Sequence, residues 1–174
     1  MLPEVQALVA HYGLRPLPVE GTLFAPTYRG SAGESSAMLG LYCSEPLSLS
    51  LFHRLPVDEV WHFYGGDPLR LVLLHADGRS QDVTLGSDTA AGQQVQFVVP
   101  AGCWQAGHLL AGGRYSLFGC TLAPAFYSGM FEGGARDELL LRYPDRAVDI
   151  HRLGCEPGHT RMPGLPGLPG ERPA

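Results

Sequence analysis

From Gly21 onward the chain is cut every few residues by Gly, Pro, Ser or Asp, and the pieces between the cuts have the length of strands. Such a chain folds as many short strands rather than long helices. The expected strands span roughly residues 23–29, 36–43, 47–53, 58–64, 69–75, 80–85, 94–99, 114–122 and 127–131. Asp77-Gly78, between Leu71-Val72-Leu73-Leu74 and Val83-Thr84-Leu85, is a hairpin signal, and Gly112-Gly113 reads as another hairpin turn. The 23 Gly and 15 Pro supply this punctuation, while 45% hydrophobic content in 174 residues suffices for one buried core. Many short strands at this spacing predict an all-β sandwich, barrel or jelly roll.

Two segments depart from the pattern. Residues 3–12 place Val5, Leu8, Val9 and Tyr12 at helical spacing, with Pro3 and Glu4 in the first turn and Gly13 as the stop. Residues 136–142 read as a second short helix ended by Tyr143-Pro144. Beyond Cys155 the text becomes rich in Pro and Gly, with Pro163-Gly164-Leu165 repeated to Gly170. The division expected is a folded domain over 1–153 and a disordered tail over 154–174.

The sequence contains no Lys, so Schiff-base chemistry and a Walker-type phosphate loop are excluded. It contains no Asn, so no N-glycosylation acceptor exists. A net charge of −5 predicts no broad attraction to nucleic acid or to a membrane surface. Cys43, Cys103, Cys120 and Cys155 lack zinc-site spacing and read as buried free thiols. The opening Met1-Leu2-Pro3-Glu4 has no basic region followed by an apolar stretch, and the expected location is the cytoplasm.

Reactive side chains concentrate between His53 and Pro68, where two His, acids, an Arg and aromatic rings occur together. Leu47, Leu49, Leu51 and His53 alternate with Ser48, Ser50 and Phe52, which predicts an apolar strand face ending in an imidazole. Glu59, Trp61 and Phe63 alternate with Val60, His62 and Tyr64 on the next strand. If His53 ends one strand and Glu59 begins its antiparallel neighbour, the two converge at one end of a barrel. A carboxylate turned inward there needs His53, Arg54 or a ligand as its partner. Arg54 otherwise reads as an ion-pair partner of Asp58 or Asp67, and His11, His75, His108, His151 and His159 as surface residues.

This stretch resembles the first cupin motif, in which a His precedes a Glu and a Gly follows after six more residues, here His53, Glu59 and Gly66. Val99-Pro100-Ala101-Gly102-Cys103-Trp104-Gln105 resembles the second. Residues 3 to 150 most resemble the cupin-5 (DUF985) family, through Glu20-Gly21-Thr22-Leu23-Phe24, Thr27-Tyr28-Arg29, Asp58-Glu59-Val60-Trp61-His62-Phe63-Tyr64, Gly66-Asp67-Pro68-Leu69, Gly119-Cys120-Thr121-Leu122-Ala123-Pro124 and Asp137-Glu138-Leu139-Leu140. The resemblance implies a double-stranded β-helix, the RmlC-like jelly-roll barrel, with short N- and C-terminal helices. Metal-dependent cupins commonly supply three His and one Glu; here Leu51 and Gln105 stand where the first and last His would be. That leaves His53, Glu59 and the weak donor Gln105, so no metal cofactor is expected.

The expected function is binding of a small polar or sugar-like molecule at the barrel mouth, by His53, Glu59, Trp61, His62, Phe63, Trp104 and Gln105. The alternative is an isomerase, as in the sugar-nucleotide epimerases that share this barrel. His53 would then be the base, Glu59 would orient it, and Tyr28, Tyr115 or Tyr127 would be the acid. A metal-dependent dioxygenase would need a fuller ligand set. Cupin barrels frequently pair, so a homodimer with residues about 20 to 45 at the interface is expected, with neither nucleic acid nor membrane as a partner.

Overall fold

The computed structural model describes residues 1–165. Helix α1 (Pro3–Tyr12) precedes strands β1 (Arg15–Pro16), β2 (Leu23–Arg29), β3 (Ser36–Cys43), β4 (Ser50–Arg54), β5 (Glu59–Gly66), β6 (Leu69–Leu74), β7 (Ser80–Leu85), β8 (Gln96–Val99), β9 (Trp104–Leu109), β10 (Tyr115–Leu122) and β11 (Glu132–Gly133). Helices α2 (Arg136–Arg142) and α3 (Ala147–Leu153) follow. The strands form two antiparallel sheets, β1-β2-β3-β10-β5-β8 and β11-β4-β9-β6-β7. Their inner faces meet as a jelly roll, the all-β fold that the punctuated sequence predicts.

Helix α1 matches its sequence span, with Pro at its start and Gly13 closing it at φ 64°. The Asp77-Gly78 turn joins β6 to β7 with Gly78 at φ 91°. Gly112-Gly113, expected to turn a hairpin, instead carries the chain from one sheet to the other, since β9 pairs with β4 and β6 while β10 pairs with β3 and β5. Residues 127–131 are a short 3-10 turn rather than a strand. Strand β9 and helix α3 were not among the expected elements.

Side chains of alternating parity sort into layers. Between the sheets Tyr42, Trp61, Leu71, Leu73, Val83 and Phe118 fill one end of the barrel. Outside the five-stranded sheet, Phe52, Val72, Leu74, Trp104 and Ala106 pack beneath Leu139, Ile150 and Leu153 of α2 and α3. Outside the six-stranded sheet, Leu23, Ala25, Leu41 and Cys43 are covered by Val5 of α1 and by Leu14. His108, expected at the surface, is buried instead, and its Nδ1 donates to the Leu109 carbonyl at 2.6 Å.

The tail boundary at 154 requires correction. Cys155, Met162 and Leu165 are buried, Cys155 pairs with Ala135 and Arg161 with Glu132 in single bridges, and Met162 and Leu165 pack with Leu17, Phe24 and Phe131. Composition concealed this because three apolar anchors suffice to hold a segment whose other residues are Pro and Gly. Residues 166–174 of the expected tail lie outside the described residues. Among those described, no helix is long and apolar enough to cross a membrane.

One glycine is fixed by packing. Gly40 on β3 lies opposite Phe118 on β10, and a Cβ at Gly40 would collide with the Phe118 ring, which is fully buried. Gly40→Ala is expected to cost about 1–3 kcal/mol through overpacking. A lower urea midpoint at unchanged slope would report that loss.

Candidate functional site

The end of the barrel not filled by the central core is a cavity of about 320 Å³. Its walls are largely apolar, from Phe24, Met38, Leu122, Phe126, Phe131 and Met162 among others, and its polar lining includes Glu20, Ser50, His53 and Glu59. Of the seven expected binding residues, His53, Glu59 and Trp61 line it. Gln105 stands directly behind them. The remaining three lie elsewhere.

Strand pleating accounts for each placement. Glu59 and Trp61 share a parity on β5 and point inward, so His62, of the opposite parity, points outward. There His62 Nε2 is 3.0 Å from Thr121 Oγ1, Gln96 Nε2 is 3.1 Å from His62 Nδ1, and the imidazole stacks on Tyr64. Phe63 packs against the filled end of the barrel, away from the cavity. Trp104 and Gln105 are neighbours on β9 and cannot both face in. Gln105 does, and Trp104 lies under α2 and α3 with the Arg54 guanidinium 4.4 Å from its ring centroid. Arg54 itself forms a two-pronged pair with Glu132 at 2.8 Å, not with Asp58, Asp67 or Glu59.

Strand β4 breaks the alternation read from its sequence. Its register against β9 shifts between Ser50 and His53. This irregularity lets Ser50 and His53, three residues apart, both line the cavity, and turns Phe52 outward into the helical layer. Leu47, expected on the inner face, is 70% exposed. His53 and Glu59 therefore converge as expected, but not from paired strands. Strands β4 and β5 belong to opposite sheets, and the two residues face each other across the interior.

The sheets are joined at this point by Gln105. Its Nε2 donates to Glu59 Oε2 at 2.6 Å and its Oε1 accepts from Trp61 Nε1 at 2.9 Å. The indole N–H is thereby committed, so Trp61 offers the cavity only its ring. Glu59 is held by Gln105 and does not orient His53. The imidazole is placed by the Leu51 carbonyl, 2.8 Å from Nδ1, and by stacking on Phe131 at 5.2 Å. A carbonyl can only accept, so Nδ1 carries a proton, and in the neutral imidazole Nε2 is then the free lone pair.

Glu20 was quoted in the family phrase without a role, yet it is 7% exposed and lines the cavity. Its Oε1 is 3.7 Å from His53 Nδ1 and accepts from Thr22 Oγ1 at 3.2 Å. Thr22 Oγ1 lies 2.9 Å from Ser50 Oγ, which is bonded in turn to Tyr42 OH. Each hydroxyl has one proton, and a carboxylate can only accept. The Thr22 proton is shared between two acceptors, Glu20 Oε1 and the Leu49 carbonyl, each at 3.2 Å, so the hydroxyls are directed Tyr42 to Ser50 to Thr22. Glu20 sits between Val19 at φ 70° and Gly21 at φ 90°. A β-branched residue in the left-handed region is strained by on the order of 1–3 kcal/mol, a cost found where a loop must aim a side chain. No strand periodicity reaches this loop. Of the three tyrosines expected as acids, Tyr28 lines the cavity, Tyr115 packs toward α1 and Tyr127 is 48% exposed.

The donor set does not fit the metal that the cupin resemblance implies. Leu51 offers no ligand, and both ends of the Gln105 amide are engaged by Trp61 and Glu59. Among the described residues no three His, Cys, Asp or Glu side chains gather as a ligand group. All four cysteines are free and buried, and burial pushes the Cys103 thiol up to about 11. Neither oxygen-rich nor thiolate coordination is offered.

Burial pushes the Glu59 carboxyl above its ordinary value of 4.5, a rise opposed by His53 and by the Gln105 hydrogen bond. The folded state thus binds this proton more tightly than the unfolded chain does. Stability from this group is complete below 4.5 and is lost as pH rises through the folded value. Glu59→Gln is expected to raise the melting temperature at neutral pH, with the gain shrinking toward pH 4.5, as thermal melts across that range would record. An equal gain at both ends would contradict a buried charge.

Residues 6–133 match the profile of the family described as Cupin superfamily (DUF985). Protein SO0799 from Shewanella oneidensis is similar in structure, with a TM-score of 0.78 at 29% identity over 87% of this chain and 97% of that one. A hypothetical protein from Leishmania major gives 0.75 at 25% identity over 87% and 98%. Oxalate decarboxylase from Bacillus subtilis shares the fold alone, at a TM-score of 0.52 and 12% identity over 89% of this chain and 40% of that one. No curated protein matches. With the barrel and its inward His and Glu in place, and a profile match over most of its length, the chain belongs to the DUF985 family of the cupin superfamily.

Proposed function

We propose that this protein binds a small molecule in the barrel cavity, held by Glu20, His53 and Glu59 against walls formed by Trp61 and phenylalanine rings. The observation that carries the reading is the convergence of two buried carboxyl groups and an imidazole on a cavity that is otherwise apolar. A purely structural core would not leave acids there, because an unpaired buried carboxylate is costly. The cavity volume of about 320 Å³ lies in the range of small-molecule sites, and a few polar groups in an apolar surround suit orientation of a ring-shaped ligand.

One feature favours isomerase chemistry as the second reading. His53 is fixed in the tautomer that leaves Nε2 free as a base, and Tyr28 lines the same cavity. Free thiols at all four cysteines suit a reducing compartment, which supports a cytoplasmic location.

A thermal-shift panel of sugars, nucleotides, organic acids, aromatic alcohols and amines is expected to contain stabilising ligands. Their effect should be lost in Met38→Trp, which fills the cavity, and weakened in His53→Ala. Shifts unchanged in both variants would place binding elsewhere, and a panel without any shift would count against the cavity. For the isomerase reading, wild type should exchange solvent deuterium into keto-sugar nucleotides and His53→Gln should not.

We also propose a homodimer. Helix α1 covers the outward side chains of the first half of β2 and the second half of β3, so the other ends around Tyr28, 55% exposed, are the surface offered to a second copy. Sedimentation velocity should give twice the chain mass, and Tyr28→Asp should shift it toward monomer.

A further inference from the structure

We propose that the ligand carries a primary ammonium group on a flat apolar body, with the ammonium held by the Glu20 carboxylate. The inference rests on the reading of the cavity as a binding site and names what the site takes.

Glu20 is buried at the cavity with one hydrogen bond, from Thr22 Oγ1. An ionised carboxylate can accept about four. Its Oε2 has no donor among the described residues. The chain has no Lys, and no arginine among the described residues forms an ion pair with an acid of the cavity. Among those residues the arginine ion pairs run to Glu4, Asp77, Asp82, Glu132, Asp145, Asp149 and Glu156, and none reaches Glu20 or Glu59. Arg29, which also lines the cavity, sits at the exposed end of β2 and donates to the Phe126 carbonyl at 2.6 Å.

His53 does not complete the pair. Its Nδ1–H is given to Leu51, and 3.7 Å from Glu20 is beyond a hydrogen bond. Around Glu20 the polar end of the cavity offers mainly acceptors: the open side of Glu20, the Nε2 of His53 in its neutral form, and the carboxyl of Glu59, already met by Gln105 and the Cys120 thiol. A primary ammonium brings three donors, no acceptor and the missing charge. A quaternary ammonium would bring charge without donors, and a carboxylate ligand would meet two acids. A polyol would bury hydroxyls against phenylalanine and methionine, with nothing to bond them. The ring faces of Trp61 and Phe131 favour a cation beside them and a flat apolar body beyond it.

The test is isothermal titration of the full chain with phenethylamine, phenethyl alcohol and hydrocinnamate, which share a ring and differ in the head group. The amine should bind at least about tenfold tighter than the alcohol, and hydrocinnamate should be weakest. In Glu20→Gln the amine should fall to the level of the alcohol, while the alcohol keeps its affinity within about twofold. Equal binding of amine and alcohol to wild type, or an amine preference that survives Glu20→Gln, overturns the ammonium assignment and leaves the cavity reading standing. Should the variant fail to fold, the wild-type series decides alone. If none of the three binds, the assignment falls, and the cavity reading is judged separately by the ligand panel, which does not depend on an amine.

Discussion

The site depends on one side-chain amide that does two jobs across the barrel. Gln105 projects inward from β9 in one sheet, and it meets Glu59 and Trp61, both on β5 of the other. An amide donates at one end and accepts at the other, so it satisfies a carboxyl that needs a donor and an indole that needs an acceptor. Without it the Trp61 N–H would be left bare and Glu59 would keep only the Cys120 thiol, at about 1–3 kcal/mol for each buried group left unmet. With it, Glu59 is fixed in position and Trp61 is turned so that only its ring faces the cavity. The same engagement removes Gln105 as a metal donor. The residue that stands where the metal-binding cupin pattern has a His therefore supplies a cross-sheet clamp.

The floor and the walls of the cavity come from different sources. His53 and Glu59 stand on strands and are held by sheet hydrogen bonding. Leu17, Glu20, Phe131 and Met162 stand on connecting segments. Met162 also lies beyond residues 6–133, the stretch matched by the family profile. Strand-borne groups are rigid and suit chemistry, whereas segments outside strands tolerate change and suit selectivity. The position of Met162 thus ties the shape of the cavity to a segment whose composition reads as tail.

What the sequence revealed follows what each pattern encodes. Regular alternation places a residue when the strand is regular, and β5 is regular from Glu59 to Trp61, so the inward pair and the outward His62 follow from parity alone. On β4 an irregularity resets parity, and nothing in Leu-Ser-Leu-Phe-His announces it, because Ser reads as an outward residue until its hydroxyl is seen bonded to Tyr42 and Thr22. Trp104 was misplaced because a large ring after a tight turn suits either a ligand wall or a helix-covered face. The helix α3 that covers it lies more than forty residues downstream. Glu20 has no period to betray it. Its inward direction is set by two left-handed residues, and the only sequence trace is Gly21.

The costs concentrated here argue for function more strongly than the fold does. Burial pushes the Glu59 proton affinity up, Val19 holds a conformation that β-branched residues avoid, and Glu20 lies buried with one hydrogen-bond donor among the described residues. Each could be relieved by a single substitution, Glu59 to Gln, Val19 to Gly or Glu20 to an apolar residue, without disturbing the strands. Elsewhere among the described residues the chain is more economical: Arg54, Arg70, Arg79, Arg114, Arg136 and Arg146 meet acids, and the four thiols are buried. Proteins accumulate destabilising features at sites that use them and lose them where they serve nothing. Three such features lie within one cavity and all bear on carboxyl groups, and the proposed ammonium ligand would answer them together, because it supplies donors and positive charge.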